Sequence, residues 1–187
     1  MKQLLTGKQM KQADTWSIKE FGMESLILME RAALCAAQHI MSVQKPGRVF
    51  IMCGMGNNGA DGLAMARILS QNGWQVYVDA LFGVGLSRSV SGVYRAAIEE
   101  WNEHKKECGA YGVAVDICSG LDAKSGQVLG ACVKADVQIT FGYGKVGQFL
   151  YPGASLSDKT IVCDIGMPNE AVYHIDGLPF NCLEKSD

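Results

Sequence analysis

The sequence lacks the patterns that indicate a structural metal site, a disulfide framework or a nucleic-acid-binding surface. Its seven cysteines include no C-x-x-C pair, so a structural zinc site is not expected. Because the cysteine count is odd and most cysteines lie in apolar runs, reduced thiols are expected rather than disulfides. The net charge of −2 gives no reason to expect nucleic acid or an anionic membrane as a partner.

Long hydrophobic runs are also absent. The first residues, MKQLLTGKQMKQ, contain no signal-peptide stretch, and no run approaches the length of a membrane span, so a cytoplasmic protein is expected. The length of 187 residues, with 48% hydrophobic and 19% charged residues, is typical of a soluble globular domain. We therefore expect residues 1–187 to form a single domain.

Apolar runs alternate with helical patterns along the chain, and Thr6 with Gln9 forms a capping-box pattern at the first helix. Helices are expected over 6–21, 24–41, 63–72 and 93–109, and strands over 48–53, 74–78, 111–117, 135–141 and 160–165. This alternation predicts an α/β fold with a three-layer, Rossmann-like, doubly wound and mostly parallel sheet that has helices on both faces. The polar tail after Pro168 is predicted to be peripheral.

The most informative segment is the glycine-rich stretch 53–62, which follows an apolar run and precedes a helical pattern. A strand, a glycine loop and a helix in this order direct backbone N–H groups toward an anion, usually a phosphate. Gly54, Gly56 and Gly59 fit G-x-G-x-x-G, and Asp79 follows about 20 residues later, as in a dinucleotide-binding dehydrogenase.

The polar side chains of Asn57, Asn58 and Asp61 distinguish this segment from a plain pyrophosphate loop. A pyrophosphate loop would leave such a turn to small residues, so the segment is expected to contact more of a nucleotide than its phosphates. The alternative is an Asx turn, in which these side chains bond only to nearby backbone groups.

The junction between Trp74–Val78 and Asp79 has no break in the sequence. Parallel neighbouring strands need a crossover of about a dozen residues or more. Either these residues form one strand, or a connecting strand–helix unit is absent.

The segment Gly54–Leu63 resembles the signature of the NAD(P)H-hydrate epimerase family, the YjeF N-terminal domain. Further segments resemble the family in the same order, and the likeness covers nearly the whole chain. These segments are Leu28–Ala32, Asp79–Leu86, Asp116–Asp122, Thr140–Gly142 with Lys145 and Gly147, and Asp164–Pro168.

The chain departs from the family pattern at three places. Ala60 stands where the family usually has glycine, which would restrict a loop that needs positive φ. Cys118 stands where the family usually has proline, which removes a rigid turn element. The family also has an extra strand–helix segment before the counterpart of Asp79. A natural deletion, an engineered deletion and a segment left out of the numbering would each explain its absence, and the last is favoured.

The resemblance implies an isomerase that interconverts the R and S forms of hydrated NADH and NADPH (NADHX and NADPHX). Such repair matters because a partner dehydratase accepts one epimer, and in bacteria the dehydratase is often fused to the C-terminus. A homodimer is the family expectation. An NAD-dependent oxidoreductase and a non-catalytic YjeF-type binding or scaffold module are the alternatives. Scaffold members tend to lose the acidic residue at the position of Asp116, which this chain retains.

Asp116 and Lys145 are the candidate catalytic residues. Asp116 lies at the C-terminal end of a predicted buried strand, at the sheet edge where open α/β folds bind ligands, so it is expected to be the acid/base group for the hydrated ring. Its alternative role is to cap the next turn. Lys145 is a candidate for proton transfer or phosphate pairing, and its alternative is a solvated side chain.

The expected substrate site combines the first glycine segment, a second glycine loop and Asp116. Its residues are Asn57, Asn58, Gly59, Ala60, Asp61, Gly83, Val84, Gly85, Leu86, Ser87, Arg88, Ser89 and Asp116. Arg88 is expected to pair with an anionic group, with an ordinary surface charge as the alternative.

A potassium site is expected at Asn58, Asp79 and Ser119. These residues come from three glycine-containing loops at the C-terminal edge of the predicted sheet, and each has a side-chain oxygen, which suits a hard cation. One carboxylate balances a monovalent ion better than a divalent one, and the resemblance assigns these positions to potassium. The alternative is that the three side chains bond only to nearby N–H groups.

Overall fold

The computed structural model describes residues 2–52, 57–79, 89–108 and 111–182. Its helices are α1 (Gly7–Lys19), α2 (Ser25–Val43), α3 (Asn57–Gln71), α4 (Gly92–Cys108) and the short α5 (Val146–Phe149). Its strands are β1 (Lys2–Leu5), β2 (Arg48–Met52), β3 (Gln75–Asp79), β4 (Val113–Val115), β5 (Ala135–Phe141), β6 (Gly144–Lys145), β7 (Ser157–Cys163) and β8 (Phe180–Cys182). Two 3-10 helices cover Gly153–Ser155 and Asn169–His174.

The fold is mixed α/β, with parallel sheets flanked by helices, as the sequence predicts. Strands β4, β5 and β7 form one parallel ladder, and β2 pairs in parallel with β3. β2 approaches β4, but within the described ranges these two strands belong to separate ladders. A third ladder places β1 between β6, to which it is parallel, and β8, to which it is antiparallel.

The main core lies between the α1–α3 side of the molecule and one face of the strands. Val137, Ile139 and Phe141 of β5 belong to this core. Successive side chains of a strand point to opposite faces, so Gln138 and Thr140 lie on the other face of β5, where both are fully buried. This polar face of β5 supports the candidate site described below.

The N-terminal segment is tied to the rest of the fold at Lys145. The predicted capping box is confirmed, because the Thr6 hydroxyl accepts from Gln9 N and the Gln9 side chain accepts from Thr6 N. The sequence analysis did not predict β1, which is short and half polar. Its register pairs Leu5 with Lys145, so α1 begins beside that lysine.

Several predicted boundaries are wrong. α3 begins at Asn57 rather than at residue 63, so segment 57–61 is the start of a helix and not a loop. Ala60 therefore has helical backbone, and the expected restriction of a positive-φ loop does not arise. β4 is shorter than predicted because Asp116 leaves the extended conformation.

The end of the chain also differs from expectation, and the junction at Asp79 is described up to that residue. The tail is not merely peripheral, because Ala171 is fully buried and β8 pairs with β1. Gln75–Asp79 form one continuous strand, so the described part of the junction, up to Asp79, is a strand without a break. The three explanations for the absent family segment stay predictions.

α2 corrects two further expectations. With 19 residues and a mean hydropathy of 1.3, it is long and apolar enough to cross a membrane by length and composition alone. Six of its residues are nevertheless buried in the main core, as in a core helix. Cys35 of α2 also forms a disulfide with Cys163 of β7, so the expectation of reduced thiols is wrong for this pair. The two cysteines are 128 residues apart in the sequence and meet because α2 packs on β7. Cysteine spacing in the sequence does not reveal such a long-range contact.

Gly120 provides a test of the loop that follows Asp116. Its φ is +99°, and an added Cβ would lie 1.9 Å from the Ala131 carbonyl oxygen. Gly120→Ala should therefore lower the free energy of unfolding by about 2–4 kcal/mol more than Gly22→Ala. Gly22 has a φ of +82° but no atom within 4 Å of an added Cβ, so it isolates the backbone clash. Equal losses in urea unfolding would contradict the close packing of this loop.

Candidate active site

A buried ion pair between Asp116 and Lys145 forms the centre of the site. Asp116 is 7% exposed and Lys145 is 1% exposed. Lys145 Nζ donates to Asp116 Oδ1 at 2.5 Å, to Thr140 Oγ1 at 2.8 Å and to the Phe141 carbonyl oxygen at 3.2 Å. An ammonium group has three donors, and here each has an acceptor. The lysine is therefore held as a fixed cation, which corrects the alternative of a solvated side chain.

The Asp116 carboxylate is held through one of its two oxygens. Oδ1 also accepts from Thr140 Oγ1 at 3.1 Å and from Phe141 N at 3.3 Å. These contacts, together with that from Lys145, fix the carboxylate of Asp116 at the end of β4.

The backbone of Asp116 is held in an unusual conformation. Its φ is +65°, in the left-handed region that residues other than glycine rarely adopt, although aspartate tolerates it better than most. Gln148 Nε2 donates to the Asp116 carbonyl oxygen at 2.8 Å, while Gln148 Oε1 accepts from Lys145 N at 2.8 Å. One side chain thus fixes the backbone of both charged residues. Such strain often occurs where function requires a side chain to point in one direction.

Gln138 supports this arrangement from below. Its Oε1 accepts from Cys118 N and from Gln148 Nε2, both at 3.2 Å, and its Nε2 donates to Ser157 Oγ at 2.8 Å. Gln138, Thr140 and Gln148 were not predicted as site residues. A detectable signal existed for the first two, because with Asp136 they are the alternate polar residues of strand ADVQITF.

Two further carboxyl groups share the electrostatic environment of this pair. The pKa of Asp14 is raised to about 6. Burial is the main cause; the charge of Lys145 opposes the rise, and the charge of Asp116 adds to it. Burial also raises the pKa of Asp61 to about 7, with Asp116 and Asp14 raising it and Lys145 lowering it. Asp61 was predicted as a site residue, whereas Asp14 was missed. Its signal was a carboxylate four residues after the buried Met10, on the inner side of α1.

The first predicted binding segment lies at the start of α3. Asn57 is exposed, Gly59 is buried, and Ala60 and Asp61 are partly buried. The side chain of Asn58 lies outside the described part of the structure. Free N–H groups at a helix start attract anions, so the segment keeps the chemistry that a phosphate-binding loop would provide.

The second predicted binding loop lies mostly outside the described residues, which exclude Gly83, Val84, Gly85, Leu86, Ser87 and Arg88. Its last residue, Ser89, is exposed. The next residue, Val90, donates its N–H to the Leu129 carbonyl oxygen at 2.8 Å, and Val133 N donates to the Ser119 carbonyl oxygen at 2.9 Å. The end of the second loop therefore lies against the loop that follows Asp116.

The predicted potassium ligands are described in part. Ser119 is 8% exposed and lies three residues after Asp116. Asn58 lies in the first turn of α3, and Asp79 ends β3 opposite Met52 of β2, but neither side chain is described. Within the described residues, no group of three or more His, Cys, Asp or Glu side chains could hold a metal ion.

Comparison with known proteins gives matches over most of the chain. The chain is 33% identical to the NAD(P)H-hydrate epimerase of Leuconostoc citreum, over 88% of this chain and 91% of that protein. It is 31% identical to the NAD(P)H-hydrate epimerase of Limosilactobacillus fermentum, over 87% of this chain and 96% of that protein. It is also 33% identical to the bifunctional NAD(P)H-hydrate repair enzyme Nnr of Thermofilum pendens, over 86% of this chain and 39% of that protein.

A fold comparison and a family profile agree with these matches. The crystal structure of the yeast protein YNL200c has a TM-score of 0.74 and 18% identity, and the match covers 97% of both chains. The profile of the family described as "YjeF-related protein N-terminus" matches residues 25–78 and 74–147. Residues 74–78 thus match two parts of the profile, as expected if one strand replaces a longer segment. The chain belongs to the NAD(P)H-hydrate epimerase family, that of the YjeF N-terminal domain.

Proposed function

We propose that this protein is an isomerase that interconverts the R and S epimers of hydrated NADH and NADPH. Two relatives at 31% and 33% identity, matched over nearly their whole length, are NAD(P)H-hydrate epimerases. The observation that carries the proposal to this chain is the buried Asp116–Lys145 pair, which fixes a carboxylate where the expected acid/base residue lies. A scaffold module would not need this acidic residue. The oxidoreductase alternative rests on Asp79 contacting a ribose, and the side chain of Asp79 lies outside the described residues.

Asp116 is the acid/base group in this proposal. The reaction changes configuration at the hydrated carbon of the nicotinamide ring, either by loss and return of the hydroxyl or by ring opening and closing, and both routes move a proton. The carboxylate also suits a step in which the ring becomes cationic, because it is a fixed negative charge that needs no reorganisation.

Lys145 acts mainly as a positioning residue in this proposal, although the sequence suggested direct proton transfer. Its three donors are all engaged, so it cannot turn toward a ligand without breaking a buried hydrogen bond. Its Nζ holds the Asp116 carboxylate in place through Oδ1. The nucleotide would then be bound by the start of α3. There the side chains of Asn57–Asp61 would contact the ribose or the nicotinamide, and backbone N–H groups would bind the phosphate.

We propose that a potassium ion contributes to the site through Asn58, Asp79 and Ser119. The oxygen-only donor set fits a hard monovalent cation, and Ser119 is buried next to the loop that carries Asp116. When bound, the ion supplies positive charge that holds the surrounding loops together. The protein side chains carry out the proton transfer.

A dehydratase, a second copy of the chain and a cytoplasmic location complete the proposal. The Thermofilum pendens relative is a bifunctional repair enzyme, of which this chain matches 39%. This supports a dehydratase, as a separate or fused domain, as the functional partner that consumes one epimer. A homodimer and a cytoplasmic location remain proposals.

The activity is tested by chiral chromatography of a single NADHX epimer after incubation with the protein. Wild-type protein should produce the other epimer at least about 100-fold faster than buffer, since positioned acid/base groups contribute on the order of 10²–10⁴. A rate equal to that of buffer, for both NADHX and NADPHX, would refute the proposed function. Hydride transfer to or from NAD with the same protein would favour the oxidoreductase.

The buried ion pair predicts a strong asymmetry between single and double variants. Asp116→Asn leaves a buried ammonium and Lys145→Met a buried carboxylate, so each should lower the free energy of unfolding by about 3–5 kcal/mol. The double variant Asp116→Asn/Lys145→Met should recover most of this loss and remain inactive. Lys8→Met breaks the exposed Lys8–Asp176 pair and should leave stability nearly unchanged. Additive losses in urea unfolding would show that the two charges are not coupled.

Potassium binding is tested with crystals soaked in rubidium or thallium. An anomalous peak is expected within ligand distance of Asn58, Asp79 and Ser119, and Ser119→Ala should weaken it while Ser155→Ala leaves it intact. Exchange of potassium for a bulky organic cation should reduce epimerisation. No anomalous peak at these residues would refute the site.

A further inference from the structure

An epimerase that releases and returns a hydroxyl must act on two faces of the ring. The hydroxyl leaves as water from one face and needs a proton there. The water that returns adds to the opposite face and must give up a proton there. Asp116 is fixed by its carbonyl, by Oδ1 and by its φ, so it serves one face. A second proton-transfer group is therefore required.

Asp14 lies on the side of α1 that faces the segment carrying Thr140 and Lys145. The register of β1 on β6 starts α1 beside Lys145. Further along α1, the Met10 side chain reaches Gly142, where an added Cβ would lie 3.1 Å from Met10 Cε. Residues four apart share a helix face, so Asp14 follows Met10 by one turn on the side facing segment 140–145.

The charged groups that act on Asp14 are residues of the candidate site. It is partly buried, and the described charges that act on it are Lys145 and Asp116, while its own charge acts on Asp61. The 3-10 helix Asn169–His174, which packs on α1, carries Glu170 and His174, and the exposed Lys8–Asp176 pair joins the start of α1 to the segment after it. A pKa of about 6 suits a group that both gives and accepts a proton near neutral pH.

We propose that Asp14 is the second acid–base residue of this centre and serves the ring face opposite to Asp116. The inference rests on the proposed function. Asp14 gives its proton to the hydroxyl, the C–O bond breaks with its electron pair on oxygen, and the ring nitrogen lone pair forms a C=N bond. Water then adds to the other face of this cation and its proton passes to Asp116. The reverse direction exchanges the two roles, and proton exchange with solvent resets both groups.

The test measures release of the hydroxyl separately from inversion of the ring carbon. Asp14→Asn is incubated with one NADHX epimer in water labelled with heavy oxygen, and both label incorporation and conversion to the other epimer are followed. This variant should lose at least about 100-fold in epimerisation, because one face lacks its acid/base group. It should still incorporate label into one epimer without inversion, through Asp116. Asp116→Asn/Lys145→Met should lose inversion and label incorporation on the Asp116 face. Glu20→Gln, an exposed acid at the end of the same helix, is the matched control and should behave as wild type.

Three results would overturn the inference. They are near-normal epimerisation by Asp14→Asn, loss of label incorporation together with inversion in a folded Asp14→Asn variant, and a pH–rate profile of that variant with the same shape as that of wild type. Inactivity of the wild-type protein would instead refute the proposed function, and this inference with it. The epimerisation rate, the label incorporation and the pH–rate profile together separate a proton-transfer role of Asp14 from a structural role. A structural role would leave the shape of the pH–rate profile unchanged.

Folding stability gives a second measurement. The pKa of Asp14 is raised on folding, so its stabilising contribution is fully present below about pH 4 and is lost as pH rises through about 6. The free energy of unfolding of Asp14→Asn, relative to that of wild type, should therefore be higher at pH 8 than at pH 5. An identical difference at both pH values would show that Asp14 is not in the environment described, and would overturn the inference.

Discussion

The burial of one ammonium group governs the architecture of this site. Lys145 is 1% exposed, and a buried cation is tolerated only when it is paired and all its donors are bonded. Asp116 supplies the countercharge, while Thr140 and the Phe141 carbonyl supply the remaining acceptors. Gln148 and Gln138 then satisfy the backbone that holds this pair. The buried positions of Asp116, Gln138, Thr140 and Gln148 are thus explained by the charge of Lys145.

One buried cation can neutralise one carboxylate, and the site contains more than one. Asp116 takes the direct ion pair, so Asp14 and Asp61 experience both burial and its negative charge. Their pKa values rise because protonation is the remaining way to reduce charge in a partly dry site. Neighbouring carboxyl groups with different environments are a common basis for dividing acid and base roles. The division between Asp116 and its neighbours follows from which group reaches Lys145.

The sequence predicted those parts of the molecule that depend on local rules. The capping box at Thr6, strand Ala135–Phe141 and the strand-end location of Asp116 follow from periodicity and short-range hydrogen bonding. The role of Asp14 did not follow, because it depends on β1 docking beside Lys145, a contact between residues 140 positions apart. The disulfide was missed for the same reason. Long-range packing left no periodic signal.

The two halves of the proposed site depend differently on the unusual junction at β3. The ion pair and its support come from residues 116–160, together with α1, and lie within ladders that do not include β3. The start of α3 and the end of β3 instead belong to the β2–β3 unit, where one strand matches two parts of the family profile. The hydrogen bonds that hold Asp116 therefore come from outside the β2–β3 unit, and the link to that unit is the charge of Asp61. The nucleotide and cation contacts at Asn57–Asp61 and Asp79 are the features that its length can alter.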